Sequence, residues 1–231
     1  MLRWSFLRMG LGMRTFSRTG QIGDGREAAA VEYVLANARP GDVDDVLATI
    51  DRFAREQSML VNIGDEKGLL LESAIIRAEP ERILELGTYC GYSALLMART
   101  APDARIYSVE LSADNAEIAR RVWTHAGVAD RITCVVGTIG DGGTTLDRLA
   151  GYGFGPGNLD FMFIDHEKSV YLDDLKAVMA RGSLRRGGVV VADNVKVPGA
   201  PAYRAYMRDQ EGKLWHTLEH PTHVEYQKTL P

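Results

Sequence analysis

Two hydrophobic rhythms succeed one another along the chain. From Glu27 to Ala38 and from Val43 to Glu56 apolar residues recur at helical intervals, and Arg39-Pro40-Gly41-Asp42 between them supplies a breaker and an N-cap acid. Two leading helices are predicted. A third, over about Lys67 to Ala78, stops short of Pro80 and carries Leu69, Leu70, Leu71, Ala74, Ile75 and Ile76 on a broad apolar side suited to packing on a sheet. Beyond Pro80 the rhythm shortens to apolar runs at 81–87, 104–110, 131–137, 159–165 and 187–194. Runs that are apolar on both faces suit strands buried between helical layers. Ser112 to His125, with Gly127 after it, reads as a capped helix with a left-handed terminator. Glu167 to Arg181, closed by Gly182, reads the same way. Strands alternating with helices of this length predict parallel pairing with right-handed crossovers. Leu214–Thr217 and Val224–Leu230, about His220-Pro221-Thr222, are expected to add an antiparallel hairpin at the sheet edge. The predicted architecture is a doubly wound, mostly parallel α/β sheet forming one domain over 24–231.

Composition narrows the class. With 45% apolar and 25% charged residues in 231, the chain is neither disordered nor fibrous. Lys+Arg 27 against Asp+Glu 31 leaves no basic field for a nucleic-acid backbone, so no nucleic-acid partner is expected. Cys90 and Cys134 form no C-x-x-C pair, which argues against a zinc cage or disulfide framework and makes a reducing cytoplasm the simplest setting. Residues 1–23 differ from the rest: they hold Arg3, Arg8, Arg14 and Arg18 and no acid. Their longest charge-free apolar run, Met9–Met13, is too short for a membrane span. A disordered basic extension, a surface arm, a transit peptide or a misassigned start all fit this stretch.

In doubly wound sheets ligands sit outside the carboxyl ends of the strands. The first strand runs into Glu85-Leu86-Gly87-Thr88-Tyr89-Cys90-Gly91-Tyr92-Ser93, a strand-to-helix turn whose two glycines let the backbone approach a ligand; the second ends at Glu110, an acid placed to take both hydroxyls of a ribose. No G-x-G-x-x-G and no G-x-x-x-x-G-K-[ST] is present, which disfavours dinucleotides, ATP and GTP and favours a nucleoside without phosphates, S-adenosylmethionine. Its carboxylate could rest on the helix start at Tyr92 and Ser93. A generic βα turn with a solvated Glu110 is the competing reading. Asp165 closes the fourth strand and Asp193-Asn194 the fifth; if those strands are neighbours, two carboxylates and an amide oxygen converge, a hard set suited to Mg²⁺. Taken singly, each acid could instead be a cap or turn former. Lys168, three positions after Asp165, can point back to the same spot and accept a proton there.

The stretches GDEKG (64–68), ELGTYCGYSALLMAR (85–99), FIDHEKSVY (163–171), ADNVKVPGAP (192–201) and VEY (224–226) resemble the catechol O-methyltransferase family, in the same order and with similar spacing, from about Gly23 to near the C-terminus. The resemblance implies a Rossmann-like class I methyltransferase fold, S-adenosylmethionine and Mg²⁺ as cofactors, and a small catechol as substrate. It places Asp165, Asp193 and Asn194 on the magnesium ligands, Lys168 on the general base, and Glu225 on the acid that accepts a hydrogen bond from the second catechol hydroxyl. Toward the cofactor it places Glu85 and Gly87 at the methionine end, Tyr89 and Ser93 beside it, Glu110 at the ribose, His166 near the adenine, and Val61 and Ile63 in the leading loop. The chain departs from the family where a serine and a glutamine beside the adenine become Ile139 and Gly140, leaving adenine binding to rest more on shape. Two tryptophans around the ring become Met59 and Glu167, while a proline persists as Pro198.

The expected reaction is in-line transfer of a methyl group from S-adenosylmethionine to one hydroxyl of a chelated catechol, with Lys168 as base. Alternatives are methylation of another vicinal dihydroxy aromatic, such as a caffeoyl thioester, a nucleoside-binding module without turnover, and an NAD-linked reductase. The last lacks its glycine triplet and its Tyr-x-x-x-Lys. His125, His216, His220 and His223 have no partner acids at ligand spacing, and Trp123 reads as core.

Overall fold

The computed structural model describes residues 4–223 and Tyr226. Four helices lead: α1 (Trp4–Thr19), α2 (Arg26–Asn37), α3 (Val43–Glu56) and α4 (Gly64–Ala78). Strands and helices then alternate as β1 (Arg82–Leu86), α5 (Tyr92–Thr100), β2 (Arg105–Glu110), α6 (Ala113–His125), β3 (Ile132–Val136), α7 (Thr144–Gly151), β4 (Leu159–Ile164), α8 (Tyr171–Ala180), β5 (Leu184–Ala192) and α9 (Pro201–Asp209). The five strands lie in the order β3-β2-β1-β4-β5, all parallel. Chain order reverses between β1 and β4, which opens a crevice at their carboxyl ends.

Local chemistry sets the element ends. Asp42 caps α3 by accepting from the Asp45 amide at 3.0 Å, and Ser112 caps α6 by accepting from the Asn115 amide at 3.2 Å. Gly127, at φ 75°, ends α6 in the left-handed region. The period-two alternation of the strands then separates two cores. Ile83, Ile106, Phe161 and Phe163 face the leading helices together with the fully buried Trp123, while Leu84, Leu86, Met162 and Ile164 face α7, α8 and α9. Asp165 and Asp193 continue the alternation of Phe161, Phe163 and of Val189, Val191, so both acids emerge on the side of the leading helices.

β5 is irregular. Leu184 pairs with Leu159, but Val189 pairs with Phe161, so the stretch from Leu184 to Val189 spans only what Leu159 to Phe161 spans on β4. Gly187, at φ 77°, and Gly188, whose added Cβ would come within 2.8 Å of Leu184 Cδ1, make room for the excess.

Several expectations need correction. Residues 4–19, one reading of which was a disordered extension, form α1, with Phe16 edge-on to Tyr89 at 5.8 Å between centroids. The first arm of the expected edge hairpin, Leu214–Thr217, is a turn with a single bridge from Trp215 to Glu211. Of its second arm, Val224, Glu225 and 227–230 lie outside the described residues. The helix expected from Glu167 begins as a 3-10 turn, Lys168–Val170, before α8. Helices α7 and α9 left little trace in the pattern, since each buries only two side chains: Thr145 and Leu149, and Tyr203 and Met207.

Candidate active site

Pairing of Ile164 with Ala192 sets Asp165 and Asp193 side by side just past the ends of β4 and β5. Two lysines meet them from opposite elements. Lys168 donates to Asp165 Oδ1 at 2.7 Å and to the Tyr171 hydroxyl at 2.6 Å; that hydroxyl in turn donates to the Asp193 carbonyl at 3.2 Å. Lys67, in the first turn of α4 and only 7% exposed, donates to Asp193 Oδ2 at 2.8 Å. Burial pushes the Asp165 carboxyl up to about 6 against the pull of Lys168, and the nearby Asp193 charge adds to the rise.

Among the described residues no three or more His, Cys, Asp and Glu side chains converge as a metal cage, so the candidate set is two carboxylates and the Asn194 amide. That amide has two orientations with opposite meaning. With nitrogen toward Asp193 it donates to Oδ2 at 3.1 Å while its oxygen accepts from Lys67 Nζ at 2.9 Å. Turned over, its oxygen would face the Asp193 carboxylate oxygen with no proton between them, so the first orientation is the one the protein's own groups satisfy. Hard oxygen donors in this pattern fit Mg²⁺.

The loop after β1 is a second polar cluster. Glu85 is fully buried and accepts from the hydroxyls of Ser93 and Ser108; burial pushes it up to about 8, partly offset by those hydrogen bonds. Glu110 Oε2 accepts from the backbone N–H groups of Thr88 (3.1 Å) and Tyr89 (2.8 Å), and Oε1 from that of Ser112 at 2.8 Å. The Asn115 side chain bonds the same carboxylate, so donors from three backbone amides and one side chain hold Glu110 in place. Tyr89 sits at φ 50°, a strained conformation for a residue with a side chain, held by that Glu110 bond and by its hydroxyl donating to Glu27 Oε1 at 3.0 Å. The stretch after α1 reaches the same place: the Gly20 carbonyl accepts from Asn115 Nδ2 at 2.7 Å, and a Cβ on Gly20 would stand 3.1 Å from Glu110 Oε1.

The glycines of this loop also answer to the protein's own packing. An added Cβ on Gly87 would come within 2.6 Å of the Asp165 carbonyl oxygen, and on Gly91 within 2.6 Å of Trp123 Nε1, which donates to the Gly91 carbonyl at 2.9 Å. Close approach of protein to protein already requires glycine at both positions.

The remaining expected residues fall around these clusters. His166 Nε2 bonds Asp174 Oδ2 at 2.7 Å and its ring stacks on Tyr171 at 5.1 Å, while its buried Nδ1 has no protein partner among the described residues. Ile139 is buried in the α7–α8 core and Gly140 is exposed beside Asp174. Ile63 and Met59 are buried, with the Met59 carbonyl accepting from Arg26; Val61 is half-buried. Glu167 and Pro198 are exposed, and Glu225 lies outside the described residues. Sequence reasoning missed Lys67, Tyr171, Asn115 and Glu27. Only Lys67 and Tyr171 had a signal, since both stand in the quoted segments 64–68 and 163–171.

Strand order, the crevice at the β1/β4 reversal and the acids at the strand ends define a class I methyltransferase fold. The O-methyltransferase family model matches residues 42–214, and the chain belongs to that family. A probable O-methyltransferase of Mycobacterium tuberculosis is 64% identical over 223 residues, covering 96% of each chain. Catechol O-methyltransferase B of Danio rerio is 39% identical over 202 residues, 87% of this chain and 74% of the relative. Among solved structures, an SAH-bound methyltransferase of Podospora anserina superposes with TM-score 0.55 at 25% identity over 80% of each chain, and an O-methyltransferase of Bacillus cereus in complex with SAH with TM-score 0.58 at 23% identity, over 79% of this chain and 86% of that one.

Proposed function

We propose that the protein transfers a methyl group from S-adenosylmethionine to one hydroxyl of a catechol chelated by Mg²⁺, with Lys168 as general base. The observation that carries this reading is the meeting of Asp165, Asp193 and Asn194 at adjoining strand ends with Lys168 in contact with the first. Similarity to relatives named catechol O-methyltransferase supports the substrate class.

The residues divide the work. In this reading Glu110 would take the ribose hydroxyls and Glu85 the ammonium of the methionine end, while the N-terminus of α5 would offer backbone N–H groups to its carboxylate. Asp165, Asp193 and Asn194 would hold the cation, which when bound lowers the pKa of a coordinated hydroxyl and fixes its approach. Lys168, held by the Tyr171 hydroxyl, takes the proton that the attacking hydroxyl gives up. Holding donor and acceptor in line could contribute up to roughly 7–11 kcal/mol, so no covalent intermediate with the protein is needed.

A labelled-methyl assay over catechols, monophenols and acyl-thioester catechols, with Mg²⁺ and with a chelator, tests the proposal. Mg²⁺-dependent labelling of simple catechols is expected. Labelling that survives chelation removes the metal, and labelling confined to thioesters reassigns the acceptor.

A further inference from the structure

Among the described residues, two lysines face the acid pair at the ends of β4 and β5. Asp165 and Asp193 bring two negative charges; Lys168 and Lys67, each within hydrogen-bond distance of one of them, bring two positive charges. The lysines are not equivalent. Lys168 contacts one acid and the Tyr171 hydroxyl, whereas Lys67 can bridge two of the three groups expected to hold a cation: its Nζ is 2.8 Å from Asp193 Oδ2 and 2.9 Å from the Asn194 amide oxygen in the orientation that satisfies both ends of that amide. It also comes from a different layer of the molecule, since α4 packs over β4 and β5. The Lys67 side chain is nearly buried, so its ammonium is held among these oxygens with little help from water.

We infer that Lys67 is an internal competitor of the cation: its ammonium occupies the Asp193 and Asn194 oxygens in the ion-free protein, and an ion binds only by taking them over. This rests on the proposed Mg²⁺-dependent function. For Asn194 the exchange is a half-turn of the amide, from oxygen on Lys67 to oxygen toward the Asp193 carboxylate. For Asp193 it is the sharing or loss of an ion pair. Lys67 thus weakens cation binding while keeping the ion-free acids from repelling one another. A residue that merely positions the ligands would have the opposite effect, because removing it would loosen the site.

The test is calorimetric titration of Mg²⁺, and spin-resonance titration of Mn²⁺, into the full chain without methyl donor or acceptor, comparing the natural protein with Lys67→Met and Lys67→Gln. Both substitutions keep a long side chain, and Gln keeps a donor, so one reads the site if the other fails to fold. Cation affinity is expected to rise roughly tenfold or more in Lys67→Met and by less in Lys67→Gln, with the ion-free melting temperature falling and the Mg²⁺-induced rise in melting temperature growing. Equal or weaker cation binding in both variants overturns the inference and makes Lys67 a positioning residue, leaving the proposed function intact. If no form of the protein binds either cation, the proposed function fails and the inference with it.

Discussion

Glu85→Gln isolates one buried charge. Glu85 is fully buried with its carboxyl pushed up to about 8 from an ordinary 4.5, so between those pH values the folded protein holds a proton that the unfolded chain has released. Stability of the cofactor-free protein therefore falls as pH rises through that window, by about 1.4 kcal/mol per pH unit. Starting at pH 6.5 avoids most of the parallel contribution from Asp165, which is pushed up only to about 6. From pH 6.5 to 8 the loss from Glu85 amounts to about 2 kcal/mol, or roughly 4–8 °C in melting temperature for a chain of this size. Glutamine keeps the shape and the neutral state of the protonated acid and has no proton to lose. Urea and thermal melts followed by circular dichroism at pH 6.5, 7.25 and 8 should show the natural protein losing this increment and the variant keeping it, so that the stability curves converge or cross toward high pH. Parallel curves would refute the assignment of a protonated Glu85 to the folded state.

Three further outcomes are expected. Asp193→Ala should abolish Mg²⁺-dependent turnover while leaving S-adenosylhomocysteine affinity within a few-fold in calorimetry; retained turnover would remove Asp193 from the metal set. Lys168→Met should lower kcat by about 10²–10⁴ with little change in catechol KM, whereas a change confined to KM would assign Lys168 to substrate positioning instead. Gly91→Ala combines a left-handed φ of 86° with a Cβ 2.6 Å from Trp123 Nε1, and should cost about 2–5 kcal/mol in denaturant melts; a loss under 1 kcal/mol would mean that α6 can shift away.

The strands were legible because burial on both faces leaves a strong apolar signature, and the candidate site residues stood out because they are polar groups at or near the ends of such runs. Asp165, Asp193 and Lys168 were accessible for that reason, and the β4–β5 register brings the acids together as expected. Lys67 was not, because its role depends on how α4 crosses the sheet, and spacing along a helix carries no record of that. The glycines at 87 and 91 were readable as tight positions but not for their cause, since the backbone of Asp165 and the ring of Trp123 are remote in sequence. Helix α1 escaped notice because its order comes from distant contacts, Arg8 with Asp24 and Phe16 with Tyr89, rather than from a strong pattern of its own.

The extra residues near the start of β5 act at a distance. They lie at the end of the strand away from the crevice, yet they decide which residue of β5 stands level with Asp165 at the other end. A bulge of altered length that failed to absorb the change locally would slide the strand past its neighbour, and a slip of one residue would turn Asp193 toward the opposite core. Insertions there, far from any reacting atom, should silence the enzyme as surely as the loss of a ligand, so tolerance to added residues in that stretch measures how firmly the sheet dictates the chemistry.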